Sequence, residues 1–562
     1  MPKQNAPTCG TLWIPLLVLC LAQFLASADN VTLSIATGAL MRDLGASLAQ
    51  VSEANTMYPL VAGTFMVAGG MLGIVIGWRR IFRLGCVIYL LAEVCAVLAP
   101  SMTFFVFVAR VLAGIGGSFM IPAVLGLVTG IYNGRERAVA FGALGAASGI
   151  SFAMGPIVCG LLLEHLGWRW AFGVMGAIVV LILASSALIP TPARLEQRIR
   201  FDLAGFILST AGLFLVVFGL LRVSAWGLIT PFDPPFTVLG LSPALFLVAV
   251  GILVLALMLR WEIHRDARVG SALIPHAFLQ APQVRAGLYL TAYIFFAYSS
   301  GIFVVVTFAQ VVIGLDAVRT GLLIVPFAIC LAGCSLGLPV LIKRRNLKRQ
   351  CRVGLLLGMV GALVTAMGIQ GVHFNTPIVT LGLCLIGASM GTLAANAPFL
   401  VTSALSARDA QQSGGVQAAA RDIGQALGVA MVSMVMLTTI TLGMKQFIAE
   451  DASLRPQTRS AMQSLTVIPY LNDARFQTFI MDAGIHPVDL PVLTQFYWQL
   501  RAHVSRAALW AMALMTALFL AGTRRLPTVQ ETEALIALRP PARNWPRPDI
   551  SGNVDPAVRK DA

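Results

Sequence analysis

The sequence predicts an all-α polytopic membrane protein with about fourteen transmembrane helices. Of its 562 residues, 58% are hydrophobic and only 11% are charged, whereas soluble domains contain roughly 25% charged residues. The mean hydropathy is +0.84, and apolar stretches long enough to cross about 30 Å of hydrocarbon recur along almost the whole chain. We therefore expect most of the chain to lie in a lipid bilayer.

Polar or basic residues divide the apolar sequence into candidate spans. These spans cover residues 12–37, 54–77, 82–100, 103–130, 138–163, 168–190, 203–223, 241–262, 284–312, 317–341, 352–371, 376–405, 413–443 and 503–522. The first one follows Lys3 and contains Ala26-Ser27-Ala28, which imitates a secretory signal peptide with its small-residue cleavage site. Because the apolar pattern continues to Met41, an uncleaved first helix is the expected structure.

Basic residues cluster in alternate connections between the spans. The net charge of +15 would suggest a nucleic-acid partner in a soluble protein, but orientation in a membrane explains it better here. The basic connections contain Arg79, Arg80, Arg83, Arg135, Arg137, Arg194, Arg198, Arg200, Arg260, Arg265, Arg268, Lys343, Arg344, Arg345, Lys348 and Arg349. By the positive-inside rule both termini are predicted to be cytoplasmic, and no nucleic-acid partner is expected.

The sequence shows no pattern typical of a metal, cofactor or catalytic centre. Its nine cysteines lie mostly in apolar stretches, without a Cys-x-x-Cys pair or metal-ligand spacing. It has no phosphate-binding loop of the type G-x-x-x-x-G-K-[ST], so ATP is not expected to drive it directly. No histidine lies deep in a predicted span, which leaves carboxylates as the plausible proton carriers. We expect no enzyme activity and no cofactor.

An internal repeat indicates two related halves. Residues Leu112–Gly155 align without a gap on Leu385–Gly428, at an offset of 273 residues. The alignment places Arg135-Glu136 on Arg408-Asp409, and both pairs fall in predicted cytoplasmic connections, so the repeat is parallel. Parallel repeats build transporters in which the substrate path lies between the two halves.

The predicted domain organisation follows from this repeat. It comprises a cytoplasmic N-terminus (1–11), an N-terminal six-helix half (12–190), a two-helix insertion (191–262), a C-terminal six-helix half (263–522) and a tail (523–562). The second half includes a long outer loop at 444–502, which is expected to form a short helical cap. The tail is rich in proline and arginine, and we expect it to be cytoplasmic and disordered.

The stretch Gly142–Leu162 could span a bilayer, yet it is rich in Gly, Ala and Ser and contains Gly155-Pro156. Small residues let neighbouring helices approach closely, and a Gly-Pro pair weakens a helix. The stretch is either an ordinary packing face or a helix that closes one side of a moving permeation path. Gly142 matches Gly415 in the repeat, but Val429 stands opposite Pro156. This asymmetry favours the second interpretation.

Several motifs together resemble a known family. Gly149, Gly155, Pro156 and Gly160 match a fifth-helix motif, Arg110–Gly116 a fourth-helix motif, and Ala28-Asp29 with Val31–Ala36 a first-helix motif; further matches are Trp168–Phe172, Phe201-Asp202 and Gln310. With these residues the chain resembles the major facilitator superfamily, in particular its fourteen-helix drug:proton antiporter (EmrB/QacA-like) branch. The resemblance implies two six-helix halves plus two inserted helices, a gating role for the fifth-helix motif and a role in proton coupling for Arg110.

The sequence departs from this family in three places. Cys159 replaces the usual Gly of the fifth-helix motif, and Gly38 stands where Pro is expected after the first-helix motif. The loop after helix two keeps its glycines and basic residues (Gly70, Gly77, Arg79 and Arg80), but Ile74-Val75 occupies the Asp-Arg positions. In the family that Asp takes part in a charge network that holds one conformational state. We therefore expect another contact to replace it.

Three charged residues within apolar spans are the candidates for proton or substrate coupling. They are Asp29, Arg110 and Glu93, and a charged side chain costs about 2.5–3.5 kcal/mol at the bilayer centre. Asp29 could exchange a proton or meet a cationic substrate, or it could be a solvated acid near the interface. Arg110 requires an interior partner, unless its side chain snorkels to the interface. For Glu93 a structural hydrogen bond is an equal alternative.

Other residues are assigned mainly structural roles. Glu53 is expected to be a solvated acid at a helix end, and Arg421-Asp422 to form an internal ion pair at the start of the thirteenth span. Four aromatic residues could line a pocket for an apolar ligand, although packing is the alternative for each of them. These are Phe295, Phe296, Tyr298 and Phe303.

We predict a monomeric secondary transporter of the plasma (cytoplasmic or inner) membrane that exports amphipathic or cationic small molecules against proton entry. An importer or uniporter of a small metabolite is compatible with the same fold. A non-transporting receptor or scaffold that uses the loop 444–502 is the third hypothesis. The sequence does not identify the substrate.

Overall fold

Helices account for nearly all of the structure, a computed structural model that describes residues 13–45, 48–191, 202–229, 231, 234–269, 278, 281–341, 346–371, 373–405, 407–451 and 454–523. Its long helices are α1 Trp13–Asp43, α2 Leu48–Ile76, α3 Trp78–Val97, α4 Met102–Ile131, α5 Gly134–His165, α6 Trp168–Ser185, α7 Leu203–Trp226, α8 Pro243–Val269, α9 Pro282–Thr307, α10 Ala317–Leu341, α11 Leu347–Met367, α12 Thr376–Ser403, α13 Ala407–Glu450 and α16 Leu490–Gly522. Each predicted span falls on one of these helices.

Several short elements complete the described chain. Two short helices, α14 Pro456–Ser464 and α15 Asp473–Asp482, lie between α13 and α16. The strands β1 Ile369–Gln370 and β2 His373–Phe374 form an antiparallel hairpin between α11 and α12. A π-helical turn, Phe105–Arg110, interrupts α4, and a second one, Phe308–Val312, extends α9. Short 3₁₀ turns follow α6 at Ser186–Leu188 and precede α16 at Pro487–Asp489.

The predicted all-α membrane class is confirmed. Twelve of the long helices in the described chain are long and apolar enough to cross a bilayer. The other two are α1 and α3. Helix α3 falls outside this criterion because Arg79, Arg80, Arg83 and Glu93 lie within its twenty residues. The surrounding helices bury Glu93, so the charged residues of α3 do not prevent this helix from packing within the bundle.

The predicted outer loop at 444–502 is wrong in its extent. Helix α13 continues to Glu450 and α16 begins at Leu490, so the connection (the outer segment) covers only 451–489. Polar residues end the apolar pattern, yet both helices continue past it, and the outer segment contacts one of those polar residues, Arg501, directly. The guanidinium of Arg501, which is 1% exposed, lies 2.7 Å from the carboxylate of Asp473 and donates to the Leu471 carbonyl at 3.2 Å.

The helices pack as two groups that contact each other mainly along α5 with α10 and along α13 with α2 and α4. Helices α1–α6 surround one buried apolar core, and α9–α13 with α16 surround another. Helices α7 and α8 pack on each other, and α7 also contacts both α2 and α13. The residues Leu60, Val217 and Ala426 belong to the small apolar core at this three-helix contact.

Glycines bring the two groups into backbone contact at one end of the bundle, which we call the basic end because Arg79, Arg80, Arg83 and Arg137 lie there. A Cβ atom added to Gly70 of α2 would lie 2.7 Å from the Cα atom of Gly415 on α13. Gly142 of α5 similarly approaches the backbone of Ser335 on α10, whose hydroxyl donates to the Gly142 carbonyl at 2.7 Å. Gly142 and Gly415, which match in the repeat, thus make equivalent contacts.

Candidate functional site

A fully buried ion pair joins α1 to α4. The guanidinium of Arg110 donates from Nη1 to Oδ2 of Asp29 at 2.8 Å and from Nη2 to Oδ1 at 3.1 Å. Both side chains are 0% exposed. Bidentate geometry of this kind is the strongest form of arginine–carboxylate contact. The pair does not fit the alternatives of a solvated acid or a snorkelling arginine.

The surroundings of Arg110 exclude water on several sides. Its guanidinium carbon lies 5.3 Å from the ring centroids of both Phe105 and Phe172. Arg110 is the last residue of the π-helical turn in α4, and π-helical turns inside α-helices are frequent at functional sites. Its Nε is buried and has no hydrogen-bond partner among the described residues. One donor of Arg110 is therefore unused.

Glu93 on α3 is a buried acid without a hydrogen bond. It is 1% exposed, and neither of its carboxyl oxygens has a hydrogen-bond partner in the described chain. It packs beside Gly176 of α6, one helical turn from Phe172, which contacts Arg110. Of the two alternatives for Glu93, the structural hydrogen bond is not found among the described residues. An ionised carboxylate at this buried position would be costly.

The predicted ion pair between Arg421 and Asp422 on α13 is loose. Arg421 Nε lies 3.9 Å from Asp422 Oδ1, which is beyond hydrogen-bond distance. The other oxygen, Asp422 Oδ2, is buried without a partner among the described residues and faces Gly63 of α2. Val217 of α7 borders the same point. The acid therefore lies at the junction of α2, α7 and α13.

A cavity of about 350 Å³ lies between the two groups of helices. Its walls come from α1, α5, α9, α10 and α13, and it includes the C-terminal part of α9 and the following π-helical turn as far as Gln310. The rings of Phe152 and Tyr298 stack in its wall with centroids 3.7 Å apart and planes at 17°. A smaller neighbouring cavity of about 90 Å³ shares Phe152, Phe295 and Arg421 with it. Ligand sites typically occupy such clefts.

Arg421 is the only charged residue among the described residues that line either cavity. Sequence reasoning gave it a structural role, although its repeat equivalent, Ser148, lines the smaller cavity too. Asp29 lines neither cavity, so the structure does not bring its carboxylate to a substrate there. Phe295, Tyr298 and Phe303 line the larger cavity, whereas Phe296 is fully buried in the core.

The fifth-helix motif lies between the two groups of helices. Helix α5 is continuous through Pro156, which packs against Gly321 of α10. Gly149 packs against Leu331 of the same partner helix. Gly155 and Gly160 are buried on α5, and the neighbouring Cys159 thiol lies 3.6 Å from the Thr32 carbonyl of α1. The motif thus lies where α5 contacts α10 and α1.

The loop after helix two contacts α6 rather than the other group of helices. Gly77 adopts φ +106° between α2 and α3, a conformation that favours glycine. Arg79 donates to the Ala187 carbonyl at 2.7 Å and Arg83 to the Ser186 hydroxyl at 2.9 Å, so cations cap the C-terminal end of α6. Arg80 is exposed. Val75, one of the two residues at the family's Asp-Arg positions, is also exposed, at 37%.

Comparison with known proteins adds family evidence to this geometry. The family model of the Major Facilitator Superfamily matches residues 19–429. The chain is 28% identical over 436 residues to the tetracenomycin C resistance and export protein of Streptomyces glaucescens, covering 77% of each chain. It is 30% identical over 446 residues to the puromycin resistance protein pur8 of Streptomyces alboniger, covering 77% of this chain and 84% of that protein.

Solved structures share the fold at low sequence identity. The proton:xylose symporter XylE aligns over 94% of this chain and 99% of its own, with a TM-score of 0.54 and 13% identity. The human organic anion transporter MFSD10 aligns over 88% of this chain and 100% of its own, with a TM-score of 0.53 and 14% identity. At this identity the likeness concerns the fold alone.

Proposed function

Because this chain belongs to the Major Facilitator Superfamily, we propose that it exports amphipathic small molecules across the plasma membrane in exchange for protons. Relatives named for antibiotic export and resistance support the direction of transport. Both termini and the basic end then lie in the cytoplasm, in agreement with the positive-inside rule. The chain acts as a multi-pass membrane transporter, and the proton gradient supplies the energy.

The buried pair of Asp29 and Arg110 is the observation that carries the proton-coupling proposal. The Asp29 carboxylate binds the buried Arg110 guanidinium inside an apolar group of helices. Protonation of Asp29 would remove the anion that Arg110 binds in this structure, which is strongly unfavourable in a dry interior unless a second anion replaces it. In this proposal, the conformational equilibrium of the protein therefore depends on one proton. Each inward proton contributes about 2.3 kcal/mol per 100 mV of membrane potential.

Glu93 supplies an alternative partner for Arg110 in this scheme. Its two oxygens and the Nε of Arg110 all lack partners among the described residues. When Asp29 takes up a proton, Arg110 turns toward Glu93, and the Glu93 carboxyl releases its own proton. When the protein returns to its first conformation, the proton on Asp29 passes to Glu93, and the pair of Asp29 and Arg110 re-forms. One proton crosses per cycle, and the buried arginine is never left without an anion.

The glycine contacts at the basic end supply the gate. With Gly70 against Gly415 and Gly142 against Ser335, the two helix groups are in backbone contact on the proposed cytoplasmic side. These contacts take the place of the family's charge network, whose Asp-Arg positions are Ile74-Val75 here. Rocking of one group against the other would separate them and admit substrate from the cytoplasm.

The test is transport by the full chain in proteoliposomes with an imposed pH gradient, reporting both substrate flux and internal pH. Asp29→Asn should abolish gradient-driven flux while substrate exchange at equal pH persists. Asp316→Asn is the matched control, because Asp316 is 59% exposed and pairs only with the surface residue Arg319. Unchanged coupling in Asp29→Asn would refute the assignment of that residue, and gradient-independent flux in the unmodified chain would indicate a uniporter.

A further inference from the structure

We propose that Arg421 recognises the substrate and that the preferred substrates are planar aromatic molecules carrying an acidic group, such as a carboxylate or an ionised phenol. This inference rests on the proposed transport function, because it names the substrate class of the same central cavity. It replaces the expectation of a cationic substrate. The argument depends on the hydrogen-bonding state of Arg421 and on the chemistry of the surrounding walls.

Arg421 is a buried cation whose donors are largely unused. Its side chain is 10% exposed, and its guanidinium makes no hydrogen bond to any described residue. The nearest acid, Asp422, approaches only Nε, at 3.9 Å. The contrast with Arg110 is direct, because that guanidinium has two short bonds to Asp29. A cation in an apolar span is normally paired, so the cavity side of Arg421 is suited to an incoming anion.

The wall beside Arg421 is suited to a flat ring. The guanidinium carbon lies 4.5 Å from the ring centroid of Phe295, a cation–π contact that orients the side chain. Phe152 and Tyr298 stack across the junction of α5 and α9. A planar ligand could extend this stack, because aromatic rings associate favourably in offset arrangements. Gln310 and Gln425 add neutral hydrogen-bonding groups to the same cavity.

The distribution of acids disfavours a cationic substrate. Among the described residues, no Asp or Glu lines either cavity. Asp29 is fully buried in its pair with Arg110, and the free oxygen of Asp422 faces Gly63 of α2. Ser148 occupies the equivalent position in the other half, so Arg421 is the one cation that the repeat places at the site, and its neighbour Asp422 approaches only Nε, at 3.9 Å.

Three anthracene probes that differ only in their 9-substituent test the proposal: carboxylate, hydroxymethyl and aminomethyl. Binding of each to the full chain in lipid nanodiscs is followed by fluorescence at equal pH, so that no gradient is needed. The carboxylate should bind at least tenfold more tightly than the amine, since hydrogen bonds to a charged group contribute about 1.5–3 kcal/mol. Arg421→Gln should weaken carboxylate binding by about tenfold or more and change hydroxymethyl binding by less than about twofold.

Two further variants separate recognition from folding. Arg421→Lys keeps the positive charge and should keep the preference for the carboxylate over the amine. Arg506→Gln removes an arginine that lines neither cavity and bonds only to the Ala502 carbonyl of its own helix, and it should leave all three affinities unchanged. Equal affinity for the three probes, preference for the amine, or no binding of the carboxylate would each overturn the proposal. Proton coupling is measured independently through Asp29→Asn. A failure of the substrate proposal in the binding assay can therefore be told apart from a failure of the proposed proton-coupled transport.

Discussion

Ser148 and Arg421 are 273 residues apart in sequence and line the same small cavity from opposite halves of the protein. Gln23 of α1 donates a hydrogen bond to the Ser148 hydroxyl at 2.9 Å, whereas Arg421 makes no such bond to a described residue. Equivalent positions in the repeat therefore present a satisfied hydroxyl on one side and an available guanidinium on the other. Among the described residues, only the second half therefore contributes a charged side chain to the lining of this cavity.

Stability should depend strongly on the pairing of Asp29 with Arg110. Asp29→Asn removes the anion that Arg110 binds in this structure, and Glu93 has to ionise to replace it, so we expect a loss of up to about 3–5 kcal/mol in the free energy of unfolding. The double variant Asp29→Asn/Arg110→Gln removes both charges and should recover a large part of this loss. The free energy of unfolding of both variants is measured in mixed detergent micelles. Additive losses in the double variant would contradict a direct energetic coupling of the two residues.

Glu93→Gln should separate stability from coupling. The amide is isosteric with a protonated carboxyl, and no hydrogen bond of Glu93 to a described residue is lost. We therefore expect a change below about 1 kcal/mol in unfolding free energy, together with loss of proton flux coupled to substrate. Glu136→Gln is the control, because Glu136 is an exposed acid at the start of α5. Normal coupling in Glu93→Gln would remove Glu93 from the proton pathway.

Gly70→Leu should open the basic end. Its side chain would collide with the Gly415 backbone, so the two helix groups could no longer meet there. Spin labels on the basic ends of α5 and α10 should report a longer distance in this variant than in the unmodified chain. Gly333→Leu is the matched control, because no atom lies within 4 Å of a Cβ at Gly333. An unchanged distance in Gly70→Leu would show that these glycines do not hold the closed state.

The outer segment should be held in place by Arg501. Arg501→Met removes the contacts to Asp473 and Leu471, and we expect faster cleavage within 451–489 in limited proteolysis. Transport should largely persist if the helices alone form the transport path. Arg506→Met is the control, since Arg506 bonds only to the Ala502 carbonyl of its own helix. Complete loss of transport with an intact fold would instead support a functional role for the outer segment.

Hydropathy determined the helical class and the approximate position of each span, because a bilayer requires long apolar segments whatever their neighbours are. It also identified Asp29, Arg110 and Glu93 as charges that need an explanation in lipid. The ends of the last two long helices were misplaced because polar residues at 444–450 and 490–502 continue those helices beyond the apolar pattern. Hydropathy indicates which segments prefer lipid, but α13 and α16 continue beyond the apolar pattern. In α16, the outer segment satisfies the buried Arg501 of this continuation.

Only the tertiary structure decided which charged groups are paired and which are available. Asp29 and Arg110 lie on helices whose relative rotation depends on packing and on the π-helical turn, and no local pattern encodes it. The same holds for Glu93, which lacks a partner in the described chain, and for Arg421, whose neighbour in sequence suggested a closed ion pair. The sequence by itself determined where charges enter the membrane, and three-dimensional packing determined what each of them contacts. Pairing depends on distances of a few ångströms between helices that are far apart along the chain.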